Sequence, residues 1–227
     1  MSSSGDRHLA AAPLIITDPE EVARKEAENG IRQFNLAIGI IRNYVHDPER
    51  PFKLRSSMIL QLHRAALEGL TAFAGTYRNT VVKIGGSGHQ PPEAPFVPEE
   101  VEHLCDYVNN NWDTESALHL SAYVLWKLNW IYPFVDGNGR TSRMVSNVVL
   151  NIKLDALLPG TPTIPEQISE SKPPYYSALE KADRAWTLGQ IDVSELESLL
   201  DGMLATQLLN ATKRAATGSP ALSVAQK

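Results

Sequence analysis

The 227-residue sequence has one cysteine, Cys105, so no internal disulfide can form and the fold does not depend on oxidising surroundings. A cytoplasmic location is therefore the expectation. It has no long apolar run of the kind a membrane span needs, and Met1 to Ala12 lacks the basic flank and apolar core of a signal peptide, so no membrane association is expected. Basic charge is also short. With Lys+Arg at 21, Asp+Glu at 26 and a net charge of −5, no general field exists to hold nucleic acid, and none is expected as a partner. Any bound phosphate has to be met locally. No pair of His or Cys has a zinc-like spacing, and no internal repeat is detectable.

What is present suffices for one buried core: 43% of the residues are hydrophobic. The pattern reads as all-α, with a globular unit over 17–210 between disordered ends at 1–16 and 211–227. Thr17 or Asp18, then Pro19-Glu20-Glu21, starts a helix that runs to about Tyr44, with Val22, Ala27, Ile31, Phe34, Ile38, Ile41 and Val45 as its inward face. Further helices are expected over Ser56–Leu70, near Pro98 to Asn110, and from Thr114 past Trp130. Three more are expected from Arg140 to Ile152, from Tyr175 to Trp186, and from Val193 to Leu209. The β-prone Tyr77–Ile84 followed by Gly85-Gly86-Ser87-Gly88 predicts a short β-hairpin flap. Prolines 159, 162 and 165 and the Pro173-Pro174 pair predict an extended linker.

Chemistry concentrates between two of these helices, in Asp136-Gly137-Asn138-Gly139-Arg140-Thr141-Ser142-Arg143. Glycines let a backbone turn sharply and aim its N–H groups into one concavity, and such a nest at a helix N-terminus binds anions. Arg140 and Arg143, three residues apart, can meet phosphate oxygens from one helix face. Asp136 supplies one carboxylate, which suits Mg²⁺ because that ion usually completes its shell with water and substrate phosphates. The expected ligand is ATP, or another nucleotide, with Mg²⁺.

The run Pro133-Phe134-x-Asp136-Gly137-Asn138-Gly139-Arg140-x-x-Arg143 resembles the signature of the Fic family. Two flanking stretches fit it as well: Ala74-Gly75-Thr76-Tyr77-Arg78 with Val81, Lys83 and Ile84-Gly85-Gly86, and Tyr175-Tyr176-x-Ala178-Leu179. The resemblance implies a Fic-type helical domain that moves AMP from ATP to a hydroxyl of a target protein presented along the flap. It assigns Asp136 to the metal, Gly137, Asn138 and Gly139 to the α- and β-phosphates, and Arg140 and Arg143 to the terminal phosphates. Phe134 would anchor the loop in the core.

One position departs from that pattern. Where the family has the histidine that deprotonates the attacking hydroxyl, this chain has Tyr132. Reference pKa values near 10 for a phenol and 6.5 for an imidazole differ by about 3.5 units, or roughly 5 kcal/mol against finding the basic form at neutral pH. General-base catalysis is commonly worth ~10²–10⁴-fold, so the expectation is a nucleotide-binding protein impaired or inactive as a transferase. Open alternatives are an active nucleotidyl- or phospho-group transferase using an activated Tyr132, Tyr132 as nucleophile or acceptor, and a non-catalytic nucleotide-sensing module.

Some Fic proteins also carry an inhibitory helix whose glutamate pairs with the second motif arginine. Glu28-Asn29 resembles the end of that pattern, although Arg24 stands where serine or threonine is expected. By this resemblance the helix over 18–45 is inhibitory and Glu28 pairs with Arg143; Glu21, Glu26 and Glu28 among Arg24, Lys25 and Arg32 also read as a solvated face. His63 and His119 read as packed or capping residues, and His89 as a flap residue near a target or nucleobase. Tyr175 or Tyr176 could line an adenine pocket. A homodimer stays open.

Overall fold

The computed structural model describes residues 15–47, 49–85 and 88–217. The expected disordered ends therefore fall largely outside the described residues. Eight α-helices follow in order: α1 (Pro19–Arg42), α2 (Ser56–Leu67), α3 (Val97–Asn110), α4 (Ala117–Ile131), α5 (Asn138–Lys153), α6 (Ile164–Glu170), α7 (Lys172–Thr187) and α8 (Ser194–Ala216). α8 thus continues past residue 210, where the globular unit was expected to end.

α4 is the centre of the molecule. Its positions Leu120 to Leu128 are buried without a break, because the helix is apolar on every side and has neighbours all round. The Ser116 side chain caps its start by accepting from the His119 N–H. α5 packs against it through Ser121 and Ser146, each of whose hydroxyls donates to the other's carbonyl at 2.9 Å. These small residues let two buried backbones approach closely without leaving a polar atom unmet. At the far end of α4 the Lys127 ammonium is buried, paired with Glu100 at 3.1 Å and seated 3.7 Å from the Trp130 ring centroid.

Three expectations need correction. The β-hairpin flap is not seen: among the described residues Tyr77–Ile84 forms no strand, and Thr71 and Ile84 are isolated bridge residues. The reason lies in its hydrogen bonds. The Arg78 N–H goes to Pro133 and the Thr80 carbonyl to the Arg78 guanidinium, so groups that a ladder would use are already engaged.

The expected linker contains a helix, α6, started by Pro165 within its first turn and by a Thr163–Glu166 capping box.

α1 is turned in part from its expected face: Ile41 is buried and Phe34 and Val45 pack against the core as expected, but the helix is rotated over its first half. Asn29, Gln33, Ala37, Ile40 and Ile41 point inward, while Ile31 is 65% exposed. The two buried amides reach carbonyls of the neighbouring chain, Asn29 to Glu68 at 2.9 Å and Gln33 to Leu62 at 3.1 Å, and so remain satisfied.

Candidate functional site

The site is the turn from α4 into α5. Tyr132 caps α4 in the left-handed region, φ 49° and ψ 60°, a conformation that costs a non-glycine residue roughly 1–2 kcal/mol. Gly137 reverses the chain again at φ 76°, and a Cβ there would come within 2.7 Å of the Leu67 side chain. Conformation and packing therefore both require glycine at this position.

Directly after Gly137, the Asn138 side chain braces the turn. Its Oδ1 accepts from the Phe134 N–H at 2.9 Å and its Nδ2 donates to the Phe134 carbonyl at 2.8 Å. The side chain is buried and wholly engaged, which leaves only the Asn138 backbone for a ligand. Phe134 lies in the core, stacked on His63 with centroids 3.7 Å apart.

His63 supports the loop from below. Its Nδ1 accepts from the Gly75 N–H at 2.9 Å, so Nε2 carries the proton and donates to the Asp136 carbonyl at 2.9 Å. Burial lowers its pKa to about 4, against the opposing pull of that carbonyl, so the ring is neutral at physiological pH.

Above this base the first turn of α5 is open. The first four N–H groups of a helix have no intrahelical acceptor. That of Gly137 is taken by Asp136 Oδ1 at 2.5 Å, and those of Asn138, Gly139 and Arg140 remain. The buried Nε of Arg140 has no hydrogen-bond partner, and Arg143 has no carboxylate partner among the described residues. Donors without acceptors at the positive end of a helix fit a polyphosphate. Asp136 is a quarter exposed and lies 3.5 Å from Arg140, and no cluster of three or more His, Cys, Asp or Glu able to hold a metal occurs among the described residues. That donor set fits Mg²⁺ arriving with phosphate oxygens and water.

The structure thus brings Tyr132, Asp136, Gly137, Asn138, Gly139, Arg140 and Arg143 to one turn. Glu28 stays outside it: its carboxylate lies 3.4 Å from Lys25 and 4.0 Å from Arg24 on its own helix. Glu26 approaches instead, 3.1 Å from Arg140, whose other terminal nitrogen lies 3.5 Å from Asp136. Two residues along a helix are about 200° apart in rotation, so Glu28 points away from the arginine that Glu26 meets, and the expected Glu28–Arg143 pair is not seen among the described residues. Arg143 instead borders a groove of about 640 Å³ between α1, α5 and the start of α6, with Ala27, Ile31, Phe34 and Pro165.

Beneath α5, Asn129 Nδ2 lies 2.8 Å from both Ser142 Oγ and the Tyr175 hydroxyl. Tyr175 is buried, with its phenol pushed up to about 12 by that burial; Tyr176 is only partly buried.

Sequence reasoning missed Glu26 as the site's acid from α1, His63 as its support, and Arg78. The Arg78 guanidinium is buried, and its Nε donates to the Tyr132 carbonyl at 2.8 Å.

Comparison with known proteins agrees with this geometry. Residues 53–150 match the model of the Fic/DOC family. The chain is 36% identical over 96 residues to "Protein adenylyltransferase Fic" of Drosophila willistoni, a stretch covering 40% of this chain and 18% of that protein. It is 30% identical over 127 residues to "Protein adenylyltransferase fic-1" of Caenorhabditis elegans, covering 55% and 23%. The matched part is thus about a fifth of either relative's length.

Among solved structures, C. elegans Fic-1 superposes with a TM-score of 0.62 at 24% identity, covering 84% of this chain and 52% of that one. A Fic-domain signaling protein from Bacteroides thetaiotaomicron gives 0.65 at 22%, covering 85% and 74%. These likenesses show the fold. No helix among the described residues is long and apolar enough to cross a membrane.

Proposed function

Because the chain carries a Fic/DOC-family domain over residues 53–150, we propose that it binds ATP with Mg²⁺ at the start of α5 and is impaired or inactive as a protein adenylyltransferase. The observation that carries this reading is the unmet donor set at that helix start: the N–H groups of Asn138, Gly139 and Arg140, the buried Nε of Arg140, and Arg143 without a carboxylate. Asn138 and His63 hold the loop in shape before any ligand arrives, so little order has to be created on binding.

In this reading Gly137, Asn138 and Gly139 present backbone to the α- and β-phosphates, while Arg140 and Arg143 meet the terminal ones. Asp136 would hold the Mg²⁺, which supplies charge neutralisation of the transferring phosphates. Transfer to a target hydroxyl also needs a base at position 132. A phenol is in general a weaker base than an imidazole at neutral pH.

The test pairs calorimetric titration of ATP, with and without Mg²⁺, with a radiolabelled AMP-transfer assay. Tyr132→His serves as the positive control. Magnesium-assisted ATP affinity in the native chain, with label on protein only in the Tyr132→His variant, is the expected pattern. Absence of affinity for any nucleoside di- or triphosphate would sink the proposal. Label transferred by the native chain would replace it with an active enzyme that uses Tyr132.

A further inference from the structure

Both stems of the stretch between Arg78 and Pro92 close on the C-terminal end of α4. The Arg78 guanidinium, 3% exposed, donates from Nη1 to Thr80 at 3.1 Å and from Nη2 to Pro92 at 2.5 Å, carbonyls near the two ends of that stretch. The same group reaches the carbonyls of Tyr132, at 2.8 Å from Nε, and Ile131, at 3.3 Å from Nη2. The Arg78 main-chain N–H adds the Pro133 carbonyl at 2.9 Å. His89, close to the second stem, places Nε2 2.7 Å from the Trp130 carbonyl. Four consecutive carbonyls, 130 to 133, are thus held by two side chains and one N–H from a single stretch.

A helix C-terminus attracts a cation, and a planar guanidinium can serve several acceptors at once where an ammonium serves fewer. The stretch itself encloses a cleft of about 660 Å³ lined by Val82, Lys83, His89 and Pro92 among others.

We propose that Arg78 is a positioning residue that fixes this cleft and residue 132 in one register, so that the two open together or not at all. Arg78 keeps Tyr132 in the left-handed region by drawing its carbonyl inward, and that conformation sets where the 132 side chain leaves the backbone. The proposal rests on the nucleotide reading only for what residue 132 would serve; the mechanical coupling stands apart from it.

Native-state hydrogen exchange on the full-length chain tests the coupling without substitution. Amides of 79–85, of 88–90 and of the non-proline residues 132–137 are expected to exchange through one opening event, with protection factors that converge as low concentrations of denaturant are added. Opening rates that stay more than tenfold apart would overturn it.

In Arg78→Met both segments should exchange at least tenfold faster while α5 amides 145–152 stay protected, and Arg78→Lys should restore part of the loss. Loosening of 79–85 and 88–90 alone would reduce Arg78 to a staple within the loop and refute the proposal. In the Tyr132→His background, Arg78→Met should lower kcat for AMP transfer severalfold and leave KM for ATP within about twofold. An equal rise in KM would place the residue in nucleotide binding instead. Failure of ATP to bind at all would remove only the nucleotide reading, since the exchange experiment needs no ligand.

Discussion

Replacing Glu26 by Gln isolates the contact that α1 makes with the site. The Glu26 carboxylate lies 3.1 Å from Arg140 Nη1, with the two side chains 47% and 25% exposed. Partly exposed pairs of this kind are worth about 0.2–1 kcal/mol once solvent screening is counted. A phosphate that takes Nη1 has to displace Glu26, so its removal should tighten ATP binding by the same amount, about 1.4- to 5-fold.

Glu28→Gln is the matched control. It removes the same formal charge from the same helix, but from a carboxylate that faces Lys25 and Arg24. Long-range electrostatics is therefore common to both variants, and the difference between them reports the direct contact. Calorimetric titration with ATP and Mg²⁺ near 0.15 M salt should rank Glu26→Gln tighter than Glu28→Gln, and the latter should match the native chain within about 1.4-fold. Equal tightening in both, or a larger effect from Glu28→Gln, would refute direct competition between Glu26 and phosphate for Arg140.

Asn138→Ala removes both partners of the Phe134 backbone in a buried place and should cost about 2–4 kcal/mol. A thermal melt should then show a Tm lower by roughly 4–16 °C, while Arg143→Ala, which removes no ion pair, should weaken ATP binding and shift stability by no more than about 0.5 kcal/mol. Gly137→Ala should cost about 1–2 kcal/mol from the left-handed φ, plus the 2.7 Å approach to Leu67, and chemical denaturation should read a loss above 1 kcal/mol. Cys105 is buried, and that burial pushes its thiol up to about 12, so at pH 8 the thiolate fraction is about 10⁻⁴ against about a quarter for a free cysteine. Iodoacetamide should therefore label it only in denaturant, and labelling of the folded chain at the unfolded rate would contradict the packing.

The residues of the site that sequence reading found are those that adjoin one another in the chain. Asp136 to Arg143 is one turn entering one helix, so local rules of glycine conformation and helix dipole suffice to read it. Arg78 reaches Tyr132 across 54 positions and Glu26 reaches Arg140 across 114, distances over which spacing carries no information. Glu28 resembles the inhibitory acid only through its sequence neighbours, and the rotation of α1 turns it toward Lys25 and Arg24. That rotation was hidden because Asn29 and Gln33 are polar yet buried, each satisfied by a carbonyl that only the fold supplies. α6 is a different kind of miss: Thr163, Pro165 and Glu166 are a legible start signal, outweighed by the surrounding prolines. The β-propensity of Val81 and Val82 predicted a hairpin that is not seen: among the described residues no partner strand realises that local preference.

The turn divides its contacts between backbone and side chains. Residues 134 and 138 face each other and the core, and the two Asn138–Phe134 bonds hold the loop between them. The carbonyl of 132 is held through Arg78, a contact available to any residue at that position that tolerates φ near 49°. Histidine is several-fold enriched among non-glycine residues with positive φ, so Tyr132→His should meet no new backbone strain. If the proposed reading holds, base and anion site rest on different groups: the first on one side chain, the second on a helix terminus, three N–H groups and two arginines.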